Sequence, residues 1–394
     1  MKKDWEERSL GDICEFRNGL WKGKKPPFIK AKVIRMTNFT KDCEMNNKEP
    51  IELEVEKKQF ESRNLTEGDL LIEKSGGGPN QPVGRVVRFK SKDNANYSFS
   101  NFTTRMRIID QSNISSKYLH KFFKLFYLTG KTEKFQKNST NIRNLQLKDF
   151  KEIQIPLPSI QEQKRIVEKL DTCIEQIDKA IKNVEQNIQN AENLFQSYLN
   201  EIFSKFDKSL IVDLSQLADI VSGQSPKSSN YNVDKKGLPF YQGKKLFNDK
   251  FISKPNTWTT HTTKVSIGGD ILMSVRAPVG DVNINSVGEI CIGRGLAAIR
   301  PNELLNREFL FYFLVYFKDK LSFNTGATIN SINRKQISQI GVPKIELHEQ
   351  SKIAENINLF EKNLYQSIKN YGNEILALNE LKQSILEKAF NGEL

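Results

Sequence analysis

The chain has 394 residues, of which 38% are hydrophobic and 10% aromatic. This composition excludes a disordered chain, and the length predicts two or three core-forming units. The net charge of +13, from 60 Lys and Arg against 47 Asp and Glu, favours a polyanionic partner. Nucleic acid is the first expectation and an acidic membrane surface the second. A generally Lys-rich proteome is the plain alternative.

The scattered cysteines and the lack of a recognisable targeting signal predict a soluble, cytoplasmic protein without a membrane partner. The four cysteines are scattered, with no CxxC pair and no neighbouring His, which argues against a zinc site and against a disulfide scaffold. The N-terminus lacks the apolar segment of a signal peptide. The longest uncharged apolar run, 309–317, is too short to span a bilayer.

The first 157 residues predict an α+β region with an irregular sheet and a small helical face. Short β-prone runs lie at 32–35, 70–72 and 86–89, and a helical pattern lies at 116–126. The Gly-rich stretch 76–80 predicts a loop.

Residues 159–206 predict one long helix. Their apolar positions recur at alternating intervals of three and four, and no Pro or Gly interrupts them. Ser159 and Glu162 form the sequence pattern of a capping box. At 1.5 Å per residue the helix would be roughly 70 Å long. Its narrow apolar stripe requires a partner helix.

The second half repeats this plan. A β-prone run at 271–275, a loop at 221–226 and a helix at 306–320 precede a second long amphipathic helix at the C-terminus, which Gly372 weakens. We expect the two long helices to pair through Val167, Leu170, Ile174, Ile177, Ile181, Val184, Ile188, Phe195, Ile357, Leu364, Ile368, Tyr371, Ile375 and Leu378.

The two halves are predicted to be one fold used twice. At an offset of 187 residues Gln163 meets Gln350 and Pro156 meets Pro343. Toward the starts of the halves the offset drifts, so that Leu10 meets Leu217 and Asp69 meets Asp270. Matching pieces recur in one order, which argues against chance.

No catalytic constellation is present in the sequence. The Gly-rich stretch is not followed by Gly-Lys-Ser/Thr, so it is not a P-loop. His120, His261 and His348 have no triad partner and no HExxH pattern nearby. Carboxylates on the long helices alternate with Lys, which is typical of a solvated face. We expect no metal site.

Clusters of Arg, Lys, Asn, Gln, Ser and Thr at matching points of both halves predict nucleic-acid contacts, because such side chains bind phosphates and base edges. A solvated loop is the alternative for each cluster. In the first half the candidates are Lys22, Lys24, Lys25, Arg35, Asn38, Lys74, Ser75, Asn80, Arg85, Arg105, Asn138, Thr140, Asn141 and Arg143. In the second half they are Gln224, Ser225, Lys227, Gln242, Lys244, Lys245, Ser274, Arg276, Arg294, Thr325, Thr328, Asn330 and Arg334.

The starts of the two long helices carry a recognisable signature. Residues 155–167, IPLPSIQEQKRIV, resemble the start of a helix in specificity subunits of Type I restriction–modification systems. Residues 340–343 and 349–353 are similar to its second copy, and the tail 381–394 is similar to the usual C-terminus of that family. The resemblance extends over essentially the whole chain.

The resemblance implies two target recognition domains, 1–157 and 208–345, each reading one half of a bipartite site in double-stranded DNA. Spacer helices 158–207 and 346–394 would form an antiparallel coiled coil, set the gap and dock two methyltransferase subunits. Restriction subunits would join this complex. The chain itself would be non-catalytic and hold no cofactor, since S-adenosylmethionine, ATP and magnesium would belong to the partners.

Two other classes of function stay open at this point. The chain could be an enzyme with an unrecognised nuclease or methyltransferase site, which activity of the isolated chain on DNA would reveal. It could also be a coiled-coil scaffold with two protein-binding domains. Steep salt dependence of DNA binding would favour the recognition subunit over that scaffold.

Overall fold

The computed structural model describes residues 5–21, 23, 25–78, 81–139, 142–323 and 330–394. They form two compact units. The first unit comprises Met1–Val184 and Asn373–Leu394, and the second comprises Glu185–Gly372. No described helix is long and apolar enough to cross a membrane.

The first unit is α+β. Its strands are β1 (Glu6–Ser9), β2 (Cys14–Asn18), β3 (Phe28–Ile34), β4 (Ile51–Glu56), β5 (Leu70–Glu73), β6 (Ser75–Gly77), β7 (Val86–Arg88), β8 (Tyr97–Phe99), β9 (Thr103–Ile108), β10 (Gln136–Ser139), β11 (Ile142–Leu145) and β12 (Gln154–Leu157). Its short helices are α1 (Leu10–Ile13), α2 (Lys57–Arg63), α3 (Ser116–Leu128) and α4 (Leu147–Lys151). The long helix α5 (Ile160–Phe203) begins here and continues into the second unit.

The central sheet of the first unit is antiparallel, in the order β2-β9-β5-β7. A second sheet, β4-β3-β8, contains the parallel pair β3 and β8. The prediction of a loop at 76–80 is wrong in part, because β6 adds to the hairpin of β10 and β11 in a third sheet. Glycine permits this strand, since Gly76 has φ +102°.

The core of the first unit lies between its central sheet, α3 and the long helices. Phe123 and Phe150 are fully buried and stack with ring centroids 5.4 Å apart. Ile166 and Leu170 of α5 join the same core. Burying these rings and aliphatic chains stabilises the unit by about 1.5–3 kcal/mol for each side chain.

The second unit repeats this architecture. Its strands are β13 (Ile211–Asp213), β14 (Ala218–Ser222), β15 (Tyr231–Asn232), β16 (Leu238–Tyr241), β17 (Trp258–Thr259), β18 (Val265–Ser266), β19 (Ile271–Ser274), β20 (Val282–Ile284), β21 (Ile290–Ile292), β22 (Leu296–Pro301) and β23 (Gly341–Pro343). Its helices are α6 (Arg307–Phe323), α7 (Arg334–Ser338) and the long α8 (Leu347–Phe390), which ends in the first unit.

The central sheets of the two units correspond strand by strand. The order β14-β22-β19-β20 matches β2-β9-β5-β7, with every pairing antiparallel. The parallel pair β16 and β21 matches β3 and β8. The structure therefore confirms the prediction of one fold used twice.

The backbone corrects one sequence correspondence. The N–H of Leu10 donates to Ile153 O at 2.9 Å, and the N–H of Leu214 donates to Ile340 O at 2.8 Å. Leu214, and not Leu217, is therefore the counterpart of Leu10. The sequence likeness places the correspondence three residues too far along the second half, because strand pairing with β12 and β23, rather than sequence likeness, fixes the register.

The long helices pack antiparallel within each unit. In the first unit Asp178 of α5 pairs with Lys382 of α8 at 2.7 Å, and Arg165 donates to Leu394 O at 2.6 Å. In the second unit the rings of Tyr198 and Phe360 lie 4.3 Å apart. The predicted helix-pairing positions are all buried or half-buried.

The start of α5 is capped, and both long helices follow an extended segment, as the sequence predicts. Ser159 Oγ accepts the Glu162 N–H at 3.3 Å, as in a capping box, while the carboxylate of Glu162 binds Arg165 at 2.6 Å. Strands β12 and β23 provide the extended segments before the two helices. Gly372 does not interrupt α8, which is continuous through it.

Candidate nucleic-acid interface

Each domain has a glycine where two chain segments cross. A Cβ on Gly19 would lie 1.9 Å from Ser100 O, and a Cβ on Gly223 would lie 2.2 Å from Gly293 O. The residues that follow are held alike, since the N–H of Leu20 donates to Phe99 O and the N–H of Gln224 donates to Ile292 O, both at 2.9 Å. The close approach requires glycine in both copies.

Beside each crossing, three chain segments lie next to one another and are joined by backbone hydrogen bonds. We call these three segments the platform. In the first domain Lys74 N–H donates to Phe102 O at 2.9 Å, and Lys74 O accepts the N–H of Leu145 at 2.8 Å. In the second domain Val275 makes the same two bonds, with Gly295 O and with the N–H of Ile332, both at 3.0 Å. Both platforms are therefore fixed by backbone hydrogen bonds on two sides.

We call the crossing and the platform together the loop face of each domain. In the first domain the loop face comprises 17–21, 74–78, 100–102 and 143–144. In the second domain it comprises 221–225, 275–277, 293–295 and 330–331.

The loop faces contain part of the predicted contact set. Lys74, Ser75 and Arg143 lie on the first, and Gln224, Ser225, Arg276, Arg294 and Asn330 lie on the second. Gln242 borders the second loop face, because its carbonyl accepts the Gly295 N–H at 3.2 Å. Arg276 and Arg294 are exposed, and neither has a carboxylate partner in the described ranges.

Four predicted contacts are corrected, because their side chains are buried and bonded internally. Arg85 forms a two-bond pair with Glu73, both bonds 2.8 Å long. Asn38 Oδ1 accepts the Arg35 N–H, and its Nδ2 donates to Lys48 O. Arg105 donates to Asn64 O at 2.7 Å, and Ser274 Oγ donates to Pro278 O at 2.9 Å. These groups hold the domains together and are not available to DNA.

The remaining predicted residues lie elsewhere. Lys244 is half-exposed and pairs with Asp281. The side chains of Lys25, Arg35, Lys227, Lys245 and Arg334 are exposed outside the loop faces. Lys22, Lys24, Asn80, Thr140, Asn141, Thr325, Thr328 and the side chain of Asn138 lie outside the described residues.

Sequence reasoning missed several residues on or beside the first loop face. Arg17 and Asn18 end β2, and Arg63 of α2 donates to Asn18 O at 3.0 Å. Trp21 and Phe102 are 64% and 46% exposed. Exposed aromatics beside cations are typical of nucleic-acid surfaces. Trp21 opens the Lys-rich stretch in which the sequence predicts contacts, although Trp21 itself is not among the predicted residues, whereas Arg63 reaches Asn18 only through the fold.

Two observations bear on the reactivity of the His, Cys, Asp and Glu side chains in the part of the chain that the structure describes. No group of three or more His, Cys, Asp or Glu side chains is arranged there to hold an ion. Burial raises the pKa of the Cys14 and Cys43 thiols to about 12, which keeps both protonated and unreactive at neutral pH.

A family model for the Type I restriction modification DNA specificity domain matches residues 2–187 and again 207–377. The chain belongs to the Type I restriction–modification specificity family. It holds two copies of the domain, in agreement with the repeated sheet order. It is a DNA-recognition subunit and not an enzyme, as the sequence resemblance predicted.

Several members of the family are similar over most of their length. The putative MjaX specificity subunit of Methanocaldococcus jannaschii is 28% identical, over 92% of this chain and 88% of that protein. The MjaVIII specificity subunit of the same organism is 24% identical, over 91% and 86%.

Solved structures agree with this family assignment. A chain solved in work on complex assembly and conformational transition of the type I R-M system is 27% identical, with a TM-score of 0.81 and coverage of 100% of this chain and 99% of that one. The HsdS subunit of Thermoanaerobacter tengcongensis is 26% identical, with a TM-score of 0.62 and coverage of 100% and 98%.

Proposed function

We propose that each loop face contacts one half of a bipartite DNA site, so that the first and second domains read different short sequences. The supporting observation is the repeated platform beside the crossing glycines Gly19 and Gly223. The backbone of the two loop faces is alike, whereas their side chains differ. Ser75, which donates to Asn144 at 2.5 Å, stands where the second domain has the exposed Arg276.

Different side chains on one backbone are what two unlike half-sites require. Arg pairs with guanine edges and Asn or Gln with adenine edges, while Lys mainly contacts phosphates. The second loop face offers Arg276, Arg294 and Gln224, and the first offers Lys74, Arg143 and Asn144.

The long helices are the surface proposed for methyltransferase docking. Leu359 and Tyr365 of α8 are 61% and 62% exposed in the second unit, and Leu376 is 63% exposed in the first. Large apolar side chains exposed along a helix are typical of a protein interface. Restriction subunits would join the complex through the methyltransferase.

The remaining parts of the proposal concern cofactors and location. S-adenosylmethionine, ATP and magnesium would be bound by the methyltransferase and restriction subunits, and none by this chain. The expected location is the cytoplasm, where the host DNA is.

Base-resolution mapping of methylated adenines tests this function. The chain is co-expressed with its methyltransferase in a host that lacks both, and the methylated motif is read from host DNA. Two short half-sites around a fixed gap are expected. A continuous motif would contradict the two-domain reading, and failure to form a complex would favour the scaffold.

A further inference from the structure

Two cations of the first domain contact one asparagine at the loop face. Arg63 Nε donates to Asn18 O at 3.0 Å, and Lys74 Nζ donates to Asn18 Oδ1 at 3.4 Å. Thr104 Oγ1 donates to the same Oδ1 at 3.0 Å, which fixes the amide. Asn18 therefore contacts a guanidinium group through its backbone carbonyl and an ammonium group through its side-chain amide.

Neither cation has a carboxylate within ion-pair distance among the described residues. Arg63 is bonded to Asn18 and to Ser62 Oγ, and Lys74 to Asn18. Burial lowers the pKa of both groups, and for Arg63 the nearby charge of Arg17 lowers it further. Partly buried cations without a counter-ion are unfavourable, and an anion would relieve this.

The surroundings of the pair are rigid, and one side is apolar. The backbone of Lys74 is bonded to Phe102 and Leu145 in the platform. Next to it, a Cβ on Gly76 would lie 2.6 Å from Met36 Cε and 3.8 Å from the Phe102 ring. The half-exposed Phe102 ring therefore forms an apolar shelf beside Gly76, two residues after Lys74.

We propose that Arg63 and Lys74, positioned by Asn18, bind one phosphate of the DNA backbone in the half-site that the first domain reads. The guanidinium and ammonium groups are the donors that phosphate oxygens prefer, and the Phe102 shelf would pack against the adjoining sugar. Such a contact fixes the register of the domain on the duplex without reading a base. The inference rests on the proposed function.

Two counterpart positions in the described part of the second domain hold other residues, which gives an internal comparison. Ser222 stands at the position of Asn18 and Val275 at that of Lys74, as the strand registers and backbone bonds show. The phosphate contact is therefore expected in one half-site only.

Neutral-phosphate interference tests the pocket. The complete methyltransferase complex is titrated with target duplexes in which single phosphates are replaced by uncharged methylphosphonates. For the wild type, one position in the first half-site should weaken binding strongly. In the double variant Arg63→Gln, Lys74→Gln the same replacement should have no further effect. The slope of log K against log salt concentration should decrease by about 0.9, as expected for one phosphate.

Two controls separate charge from folding. Arg63→Lys keeps the positive charge and should retain most of the interference. Lys30→Gln removes an exposed lysine of β3 that faces Glu52 at 3.8 Å, and it should behave like the wild type. Thermal unfolding of each variant checks that the domain is intact; if the double variant does not fold, Lys74→Gln alone is used for the same comparison.

The outcomes distinguish this inference from the proposed function. An unchanged interference pattern in a folded variant overturns the phosphate pocket, and so does a change in the methylated base sequence, since that would mean base reading. A wild-type complex without any bipartite motif contradicts the proposed function itself.

Discussion

Gln163 and Gln350 make the same three hydrogen bonds in the two copies of the fold. Oε1 of Gln163 accepts the Ser115 N–H at 2.9 Å, and its Nε2 donates to the carbonyls of Asn113 and Pro158. Oε1 of Gln350 accepts the Asn306 N–H at 2.7 Å, and its Nε2 donates to two carbonyls likewise. Both side chains are fully buried. Each glutamine thereby ties a long helix to the N-terminus of the domain helix beside it.

Gln163→Glu should therefore destabilise the first unit although it barely changes the volume of the side chain. The carboxylate cannot donate, so two buried carbonyls lose their partner and face negative charge instead. At about 1–3 kcal/mol for each of the two unsatisfied carbonyls, we expect a loss of about 2–6 kcal/mol, measured by urea unfolding. Gln161→Glu, on the exposed face of the same helix, is the matched control and should change stability little. Equal stability of the two variants would contradict the assigned role.

The pair formed by Glu73 and Arg85 predicts a double-variant effect. Both side chains are buried, so Glu73→Gln leaves a guanidinium without its counter-ion and should cost about 3–5 kcal/mol. Glu73→Leu with Arg85→Met should recover most of this loss, because no charge then remains buried. In the second copy Ser274 replaces Glu73 and Asp281 replaces Arg85. There the Asp281 N–H donates to Ser274 Oγ at 3.0 Å.

Chemical unfolding of the single and double variants measures this coupling. Glu67→Gln, which removes a half-exposed partner of Arg88, is the control and should cost no more than about 1 kcal/mol. The methylated motif should be unchanged in the double variant. A changed motif would mean that Arg85 reads DNA after all.

His120 predicts a pH dependence of stability. Its imidazole is buried against Cys43 O at 2.8 Å, and desolvation lowers its pKa below the ordinary value near 6.5. The unfolded chain therefore takes up this proton at higher pH than the folded chain does. Stability is then greatest above pH 6.5 and decreases on acidification until the lowered pKa is reached.

His120→Phe should remove this contribution, because phenylalanine does not titrate. The substituted ring should fit, since Phe311 stands at the equivalent position of α6 and is buried there. Between pH 7.5 and 5.5 the wild type should lose up to about 1.4 kcal/mol more stability than the variant. Urea unfolding at both pH values measures the difference. His348→Gln, which removes an exposed imidazole, is the control for the loss of a histidine as such. Identical pH dependence of wild type and His120→Phe would rule out the imidazole as the source.

The exposed apolar side chains of α8 predict how the methyltransferase docks. Leu359→Glu with Tyr365→Glu should abolish co-purification with the methyltransferase, since two charges would be buried in the interface. The folded chain itself should keep its stability, because both side chains are more than half exposed. Glu355→Gln, on an exposed position of the same helix, is the control. Full recovery of the complex with the double variant would show that the docking surface lies elsewhere.

How far the sequence predicted the structure depends on the range of the interactions. The period of α5 and the Gln163 and Gln350 correspondence are local or repeated patterns, and they predicted the helices and the duplication correctly. The loop faces are assembled from segments far apart in sequence, so Asn18 and Arg63 could not be brought together by pattern alone. Arg85 shows the converse limit, because an Arg in a basic, turn-rich stretch looks like a DNA contact until Glu73 is found beside it.

The long helices predict how the gap between the half-sites is set. Helices α5 and α8 each have 44 residues and pair over both units. Inserting one heptad after Val184 and one after Gly372 keeps both apolar stripes in phase and lengthens each helix by about 10.5 Å. At 3.4 Å per base pair the unread gap should lengthen by about 3 base pairs.

The same insertion should slow methylation. Three added base pairs turn the duplex by roughly 100° at 10–10.5 base pairs per turn, whereas two helical turns rotate the second domain little. The second domain would therefore face its half-site at the wrong angle. Mapping of methylated adenines reads the gap directly, and both half-sites should keep their sequences. An insertion in α5 alone is the control: it shifts one stripe against the other and should prevent a stable complex. A folded, active double-insertion variant with the original gap would show that the helices do not set the spacing.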